Sequence, residues 1–383
     1  MKVFLVAAEE SGDRLGAALM RALRRQDASV TFAGLGGDAM AAEGIAPLFP
    51  IHDLSIVGLA AIPRRLPMIF RRIRQTVEAV LAEKPDVLVI IDSPDFTHRV
   101  ARRVRKADPK IPIVDYVSPS VWAWRPGRAR AMRRYVDHVL ALLPFEPDAH
   151  ARLGGPPCTY VGHPLAEQAA TLRPDAAEAQ RRASDPPVLL VLPGSRRSEV
   201  TRLLKVFADA VTLLAQRRGP LEIVIPTVSH LAPLLEQSAA LWPSPPKIVT
   251  DPEEKRAAFR VARAALAKSG TVTLELAVAG VPTVAAYKVS NVEAAIARRV
   301  IQVPTVILAN LVLGDNVVPE YLQQDCTAES LAASLAPLLG ETPERKRQFD
   351  AFARLDTVME IGASDPASRA AAIVQSVAAG NET

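Results

Sequence analysis

Only two of the 383 residues are cysteine, Cys158 and Cys326. They are too few and too far apart in the chain for a disulfide framework or a zinc site, and they read as buried structural thiols. Aromatic residues amount to 5%, and the basic stretches lack the interleaved aromatics and the recognisable module of a nucleic-acid binder, so no nucleic-acid partner is expected. No apolar run approaches the ~20 residues that span a bilayer. A strand, Lys2 to Ala8, begins directly at the N-terminus with no cleavage pattern, which predicts a cytoplasmic protein. No carboxylate pair suited to a metal is evident, and neither a metal nor a cofactor is expected.

Apolar residues make up 49% and charged residues 23%, an ordinary globular composition. A single core has usually stopped growing at this length, which predicts two domains. The net charge of +5 is unevenly placed: residues 1–187 carry 26 Lys and Arg against 21 Asp and Glu, and residues 188–383 carry 20 of each. Within the first half, residues 54–106 hold 11 basic and 5 acidic side chains, a local surface for anionic partners.

The most informative stretch is VLLVLPGSRRSEV, Val188 to Val200. An apolar strand runs into Pro193, Gly194 and Ser195, and then into a helix whose face is set by Val200, Leu203, Leu204, Phe207, Val211 and Leu214 before Gly219 and Pro220 stop it. Free amides at such a junction, the helix dipole and Arg196 favour an anion, best a phosphate. The N-terminus has the same layout: Lys2 to Ala8, then Glu9, Glu10, Ser11, Gly12 and Asp13, then a helix through Leu15, Leu19 and Leu23. Two such openings predict two doubly wound α/β domains. The expected boundaries are 1–170 for the first domain, 171–187 for a linker, 188–342 for the second domain, and 343–383 for helices that pack back on the first domain or exchange between subunits of a homodimer.

Between these anchors, Gly34 to Gly37 reads as a plain turn. Pro85 to Ile91 is a buried strand that delivers Asp92 to the edge where ligands of open α/β sheets bind; a helix N-cap or turn role for Asp92 fits the spacing equally, with Asp95 the better candidate cap. His163 follows a strand and reads as structural. Ser269, Gly270 and Thr271 open another helix, and Glu275, four residues after Thr271, is suited to accept from ribose hydroxyls. The stretch Ile56 to Arg74 mixes Ile69 and Phe70 with Arg64, Arg65, Arg71 and Arg72. It reads either as an interfacial helix meeting anionic headgroups or as a core helix with a solvated basic face.

Taken together, AEESGDRLGA, VIIDSPDF, YVSPSVWAWRPGR, LALLPFEP, YVGHP, LPGSRRSEV and AKSGTVTLELAVAGVPTV resemble the lipid-A-disaccharide synthase family over essentially the whole chain. The resemblance implies two Rossmann-like domains facing a central cleft, as in GT-B glycosyltransferases. It also implies inverting transfer of 2,3-diacylglucosamine from UDP-2,3-diacylglucosamine to the 6-hydroxyl of 2,3-diacylglucosamine 1-phosphate, giving the β-1,6 disaccharide and UDP. By the same resemblance Asp92 is the base, Arg196 holds the diphosphate with Gly194 and Ser195, and Ser269, Gly270, Thr271 and Glu275 form the nucleotide loop and helix. Asn310 lies near that site, and Glu9, Ser11, Gly12 and Asp13 contribute from the first domain. The family more often has glycine where this chain has Ala8, and a small or hydroxyl residue where it has Glu10. Acylated substrates imply peripheral association with the anionic inner face of the cytoplasmic membrane. An enzyme acting on a soluble UDP-sugar, such as an epimerase, would not need the apolar and basic segment.

Overall fold

The structure, a computed structural model, describes residues 1–54, 62–363 and 365–380. The chain divides into two compact units, Met1–His163 with Ala363–Thr383, and Pro164–Gly362. Each is built on a six-stranded sheet in which every neighbouring pair is parallel.

In the first unit β1 (Lys2–Ala7), β2 (Thr31–Leu35), β3 (Val87–Ile91), β4 (Ile113–Tyr116), β5 (His138–Ala141) and β6 (Cys158–Tyr160) lie in the order β2-β1-β3-β4-β5-β6. A parallel sheet needs helices on both faces, so its central strands read as continuous apolar runs rather than alternating: Val3 to Ala7 and Val87 to Ile91 are all buried. Val3, Leu5 and Ala7 of β1 pack into one cluster with Leu19 and Leu23 of the Glu10–Gln26 helix, while Phe4 and Val6 pack into another with Ile73, Val77 and Val100. The Pro366–Ala378 helix closes the first cluster through Ala367, Ala370, Ala371 and Val374. It is pinned where Arg25 Nη2 meets Asp365 Oδ2 at 2.7 Å and Gln26 Nε2 donates to the Ser368 carbonyl at 3.0 Å.

The second unit holds β7 (Val188–Leu192), β8 (Glu222–Pro226), β9 (Lys247–Val249), β10 (Ala264–Lys268), β11 (Thr283–Tyr287) and β12 (Glu320–Leu322), in the order β12-β11-β10-β7-β8-β9. All six residues assigned to one face of the Arg197–Arg218 helix are buried in its core, and Gly219, at φ 91°, ends the helix.

Two boundaries differ from the sequence-based division. Residues 171–187 contain a helix, Ala176–Ala183, that belongs to the second unit. Its Arg182 is buried and donates to the carbonyls of Phe259, Arg260, Ala279 and Gly280, a bonding pattern that an Ala, Arg and Asp-rich composition cannot reveal. The C-terminal region also divides: Pro343–Ala353 and Leu355–Val358 stay with the second unit, and only the segment from Ala363 joins the first.

Each sheet reverses its direction of strand addition once, between β1 and β3 in the first and between β7 and β10 in the second. There the connections leave toward opposite faces and open a crevice at the carboxyl ends of the two strands. Ala8 to Ser11 and Asp92 follow β1 and β3; Pro193 to Arg196 and Ser269 to Thr271 follow β7 and β10.

Candidate functional site

Asp92 and Ser93 are consecutive non-glycine residues in the left-handed region, at φ 53° and 45°, which costs of order 1 kcal/mol or more each and must be held by surrounding bonds. Asp92 N donates to the Tyr116 carbonyl (3.0 Å), Asp92 Oδ1 accepts from Ser93 N (2.7 Å), and Thr97 Oγ1 donates to the Asp92 carbonyl (2.7 Å). Ser11 Oγ donates to Asp92 Oδ2 at 3.4 Å. Burial pushes the Asp92 carboxyl above its ordinary range; the neighbouring negative charge of Glu9 adds to this, and hydrogen bonds from Ser93 and Ser11 oppose it. A partly desolvated carboxylate with a raised pKa is suited to accept a proton near neutrality. Ser93, not Asp92 or Asp95, occupies the cap position of the Pro94–Ala107 helix, and Asp95 is an exposed first-turn residue 3.4 Å from Arg128.

Asp92 lines a cavity of about 1670 Å³ within the first unit. Glu9, Arg99 and Arg125 share its polar wall, and Phe49, Leu54, Leu66, Ile69, Phe70 and Phe96 form an apolar one. Of the N-terminal residues expected to touch substrate, Glu9 is exposed and Ser11 meets Asp92, but Gly12 and Asp13 do other work. A Cβ on Gly12 would lie 3.2 Å from the Ile91 carbonyl, so this glycine lets the Glu10–Gln26 helix approach β3. Asp13 is buried, and its two oxygens accept from the amides of Gly37, Ala39 and Met40 at 2.7 to 3.0 Å. Its acceptors are spent on the turn of Gly36 and Gly37, which it shapes.

In the second unit the amides expected to await a phosphate already face a carboxylate. Glu199 is buried, and its Oε2 accepts from Ser195 N and Arg196 N, both at 3.3 Å, while its Oε1 lies 3.2 Å from Lys268 Nζ. Gly194 is required here: at φ 124°, a Cβ would sit 2.6 Å from Glu199 Oε2. Through Glu199 and Lys268 the Pro193–Arg196 loop is fastened to β10, whose last residue precedes Ser269. Sequence reasoning missed Glu199, although a glutamate at the third helical position is a recognised N-terminal signal. The Arg196 side chain stays 80% exposed, with its Nη1 3.4 Å from Glu199 Oε1.

Ser269 is buried and its Oγ donates to the Val306 carbonyl; Gly270 lies beside it in the loop, and Thr271 occupies the N-cap position of the short Val272–Val278 helix without a side-chain capping bond. Glu275 is paired with Lys255 Nζ at 2.8 Å. Asn310 is a brace rather than a ligand-facing group: it is buried, its Nδ2 donates to the Val318 carbonyl, and its Oδ1 accepts from the amides of Val317 and Val318.

The Ile62–Glu83 helix buries one side in the core and leaves part of its surface exposed. Ile73, Thr76, Val77 and Val80 are buried, whereas Leu66 and Phe70 are exposed at 40% and 43%. Ile69 packs partly against the core. Arg72 is not a surface cation, because it pairs with Asp53, donates to Gln75 and lies 4.4 Å from the Phe49 ring. Arg71 remains exposed. Residues 55–61 and the side chains of Arg64 and Arg65 lie outside the described residues. No helix among the described residues is long and apolar enough to cross a membrane.

Beneath the loop of Trp122 and Trp124 lies buried Glu146, which accepts from Trp122 Nε1 (3.1 Å) and Leu143 N (3.0 Å). Burial outweighs those bonds and raises its pKa to about 7.

Comparison with known proteins adds an independent line. The sequence profile of lipid-A-disaccharide synthetase matches residues 3–374. The chain is 63% identical over 374 residues to a lipid-A-disaccharide synthase of Nitrobacter winogradskyi, covering 97% of this chain and 94% of that one. It is 46% identical over 379 residues to the enzyme of that name from Rhodospirillum centenum, covering 98% and 94%. Among solved structures, UDP-GlcNAc 2-epimerase from Neisseria meningitidis bound to UDP-GlcNAc superposes with TM-score 0.61 at 14% identity, covering all of both chains. Acinetobacter baumannii MurG does so with TM-score 0.59 at 16%, covering 98% of this chain and 99% of that one. At such identities the structural likeness speaks for the fold alone.

A raised carboxyl pKa has a defined linkage sign: the stability contributed by protonated Glu146 is complete below 4.5 and is lost as pH rises through about 7. Urea unfolding across that window, comparing wild type with Glu146→Gln, should show the wild type losing up to about 3 kcal/mol relative to the variant as pH rises. A difference that stays constant with pH would remove Glu146 as the titrating group.

Proposed function

Because the chain belongs to the lipid-A-disaccharide synthase family, an inverting glycosyltransferase family of lipid A biosynthesis, we propose that Asp92 is the catalytic base of that transfer and that the loops following β7 and β10 hold the UDP leaving group. The donor in this reading is UDP-2,3-diacylglucosamine and the acceptor is 2,3-diacylglucosamine 1-phosphate. The observation that carries it is the placement of Asp92: a partly buried carboxylate on a strained turn, at a strand-order reversal, on the wall of a cavity that is polar at that point and apolar elsewhere.

The chemistry follows in one displacement. Asp92 accepts the proton of the acceptor 6-hydroxyl as its oxygen forms a bond to the donor's anomeric carbon. The bond from that carbon to the diphosphate oxygen breaks, the anomeric centre inverts, and UDP departs carrying the electron pair. Charge developing on the diphosphate needs donors already oriented toward it. Arg196 supplies an exposed guanidinium, carried on a loop that Glu199 fastens through the Ser195 and Arg196 amides. Lys268 balances the Glu199 charge at 3.2 Å, so that this internal anion repels an incoming phosphate less. Glu275, kept in place by Lys255, retains the role of accepting from the ribose.

Both sugars carry acyl chains, which fits a cavity with an apolar wall. Leu66, Phe70 and Arg71 on the outward side of the Ile62–Glu83 helix suit an anionic bilayer surface, the apolar pair inserting and the basic residue meeting headgroups. The expected localisation is therefore peripheral, on the membrane's cytoplasmic face.

Replacing Asp92 with Asn should lower kcat by on the order of 10²- to 10⁴-fold, with circular dichroism and melting unchanged. In the wild type the rate should fall as pH drops through the raised Asp92 pKa. Full activity in a folded Asp92→Asn protein would assign the base elsewhere.

Sedimentation with vesicles containing anionic lipid tests the membrane surface. The double variant Leu66→Ser, Phe70→Ser should leave a larger share of protein in the supernatant than the wild type; equal partitioning would exclude this helix as the contact.

A further inference from the structure

The acceptor in the reading above carries a phosphomonoester, a group of −1.5 to −2 charge, and the wall around Asp92 is otherwise acidic through Glu9 and Asp92 itself. Binding that acceptor therefore needs a cation nearby. Of the three arginines on the cavity wall, Arg14 pairs with Glu10; Arg128, nearby but not on the wall, pairs with Asp95. Arg99 and Arg125 line the same cavity with no carboxylate within 4.0 Å among the described residues. Each is instead laid on an aromatic face, Arg125 4.3 Å from the Trp124 ring and Arg99 5.9 Å from the Phe70 ring. A guanidinium stacked in this way keeps its N–H edge available for a planar or tetrahedral oxyanion.

The loop that bears Arg125 is built to be rigid. Arg125 is itself left-handed at φ 55°, a strained state that persists only when its surroundings over-determine it. Ala123 N and Trp124 N both donate to the Ser120 carbonyl at 3.1 Å, and Arg128 N donates to the Arg125 carbonyl at 2.9 Å. Trp122 is clamped below by its bond to Glu146 and by edge-on contact with Phe145, 5.1 Å between centroids. This gives a use to VSPSVWAWRPGR, one of the most specific stretches of the sequence, to which the transfer chemistry assigns no part.

We propose that Arg125, assisted by Arg99, binds the phosphomonoester of the acceptor sugar and makes the enzyme select a phosphorylated acceptor over its dephosphorylated counterpart. The inference rests on the acceptor assignment given above. It names a specificity determinant, not a group that touches the reacting atoms.

The test compares kcat/KM for diacylglucosamine 1-phosphate and for diacylglucosamine lacking the phosphate, in wild type, Arg125→Ala, Arg125→Lys and Arg99→Ala. The wild type should prefer the phosphorylated acceptor, and Arg125→Ala should reduce that preference roughly ten- to hundred-fold, the size of a charge-assisted bond, with the KM for the UDP-sugar unchanged. Arg125→Lys should restore part of the preference, and Arg99→Ala should cause a smaller loss. Equal losses on both acceptors, a raised KM for the UDP-sugar, or a wild type indifferent to the phosphate would each overturn the proposal. Failure of the wild type to form disaccharide from either acceptor would instead overturn the acceptor assignment itself.

Discussion

In a parallel sheet every connection must cross to the start of the next strand, and where two adjacent strands send their connections to opposite faces no helix covers their carboxyl ends. That constraint decides where chemistry can occur in this protein. In the first unit it falls between β1 and β3 and brings Ser11 to Asp92. In the second it falls between β7 and β10 and gathers Pro193 to Arg196 with Ser269 to Thr271. The apolar strands, their helices and the closing Pro366–Ala378 helix serve to hold these two edges open and fixed.

At both edges buried carboxylates prepare the backbone. Asp13 gathers the amides of Gly37, Ala39 and Met40, and Glu199 gathers those of Ser195 and Arg196. Buried amides need acceptors, and an internal carboxylate supplies one that is always present. The helix N-terminus in the second unit is thus an ordered site already carrying a negative charge, with Lys268 as its counter-ion. The two amides are thereby taken, and the exposed Arg196 guanidinium, 3.4 Å from Glu199, is the group left to turn toward an arriving diphosphate.

Periodicity made the architecture legible. The spacing of Val200, Leu203, Leu204, Phe207, Val211 and Leu214 named a buried helical face, and the apolar run Pro85 to Ile91 named a strand that ends at Asp92. Small residues after apolar strands marked the loops. What stayed hidden depends on contacts between residues far apart in sequence. Nothing local to Asp13 or Asn310 says that their acceptors are taken by amides at positions 37 to 40 and 317 to 318. The pairing of Arg72 with Asp53, which removes it from the surface, likewise spans 19 residues. Composition suggested a linker at 171–187 because a buried arginine satisfied by four carbonyls has the same letter as a solvated one. Glu199, three positions after Arg196, is the exception, since a glutamate at the third helical position is a local signal.

The central claim is that Asp92 stands where the acceptor hydroxyl loses its proton. A crystal structure of the protein with 2,3-diacylglucosamine 1-phosphate bound tests it most directly. In that complex the sugar's 6-hydroxyl oxygen should lie about 2.6–3.2 Å from the Asp92 carboxylate, with acyl chain against Phe49, Leu66 and Phe70. An acceptor seated with that hydroxyl beyond the reach of Asp92, either directly or through one water, would contradict it.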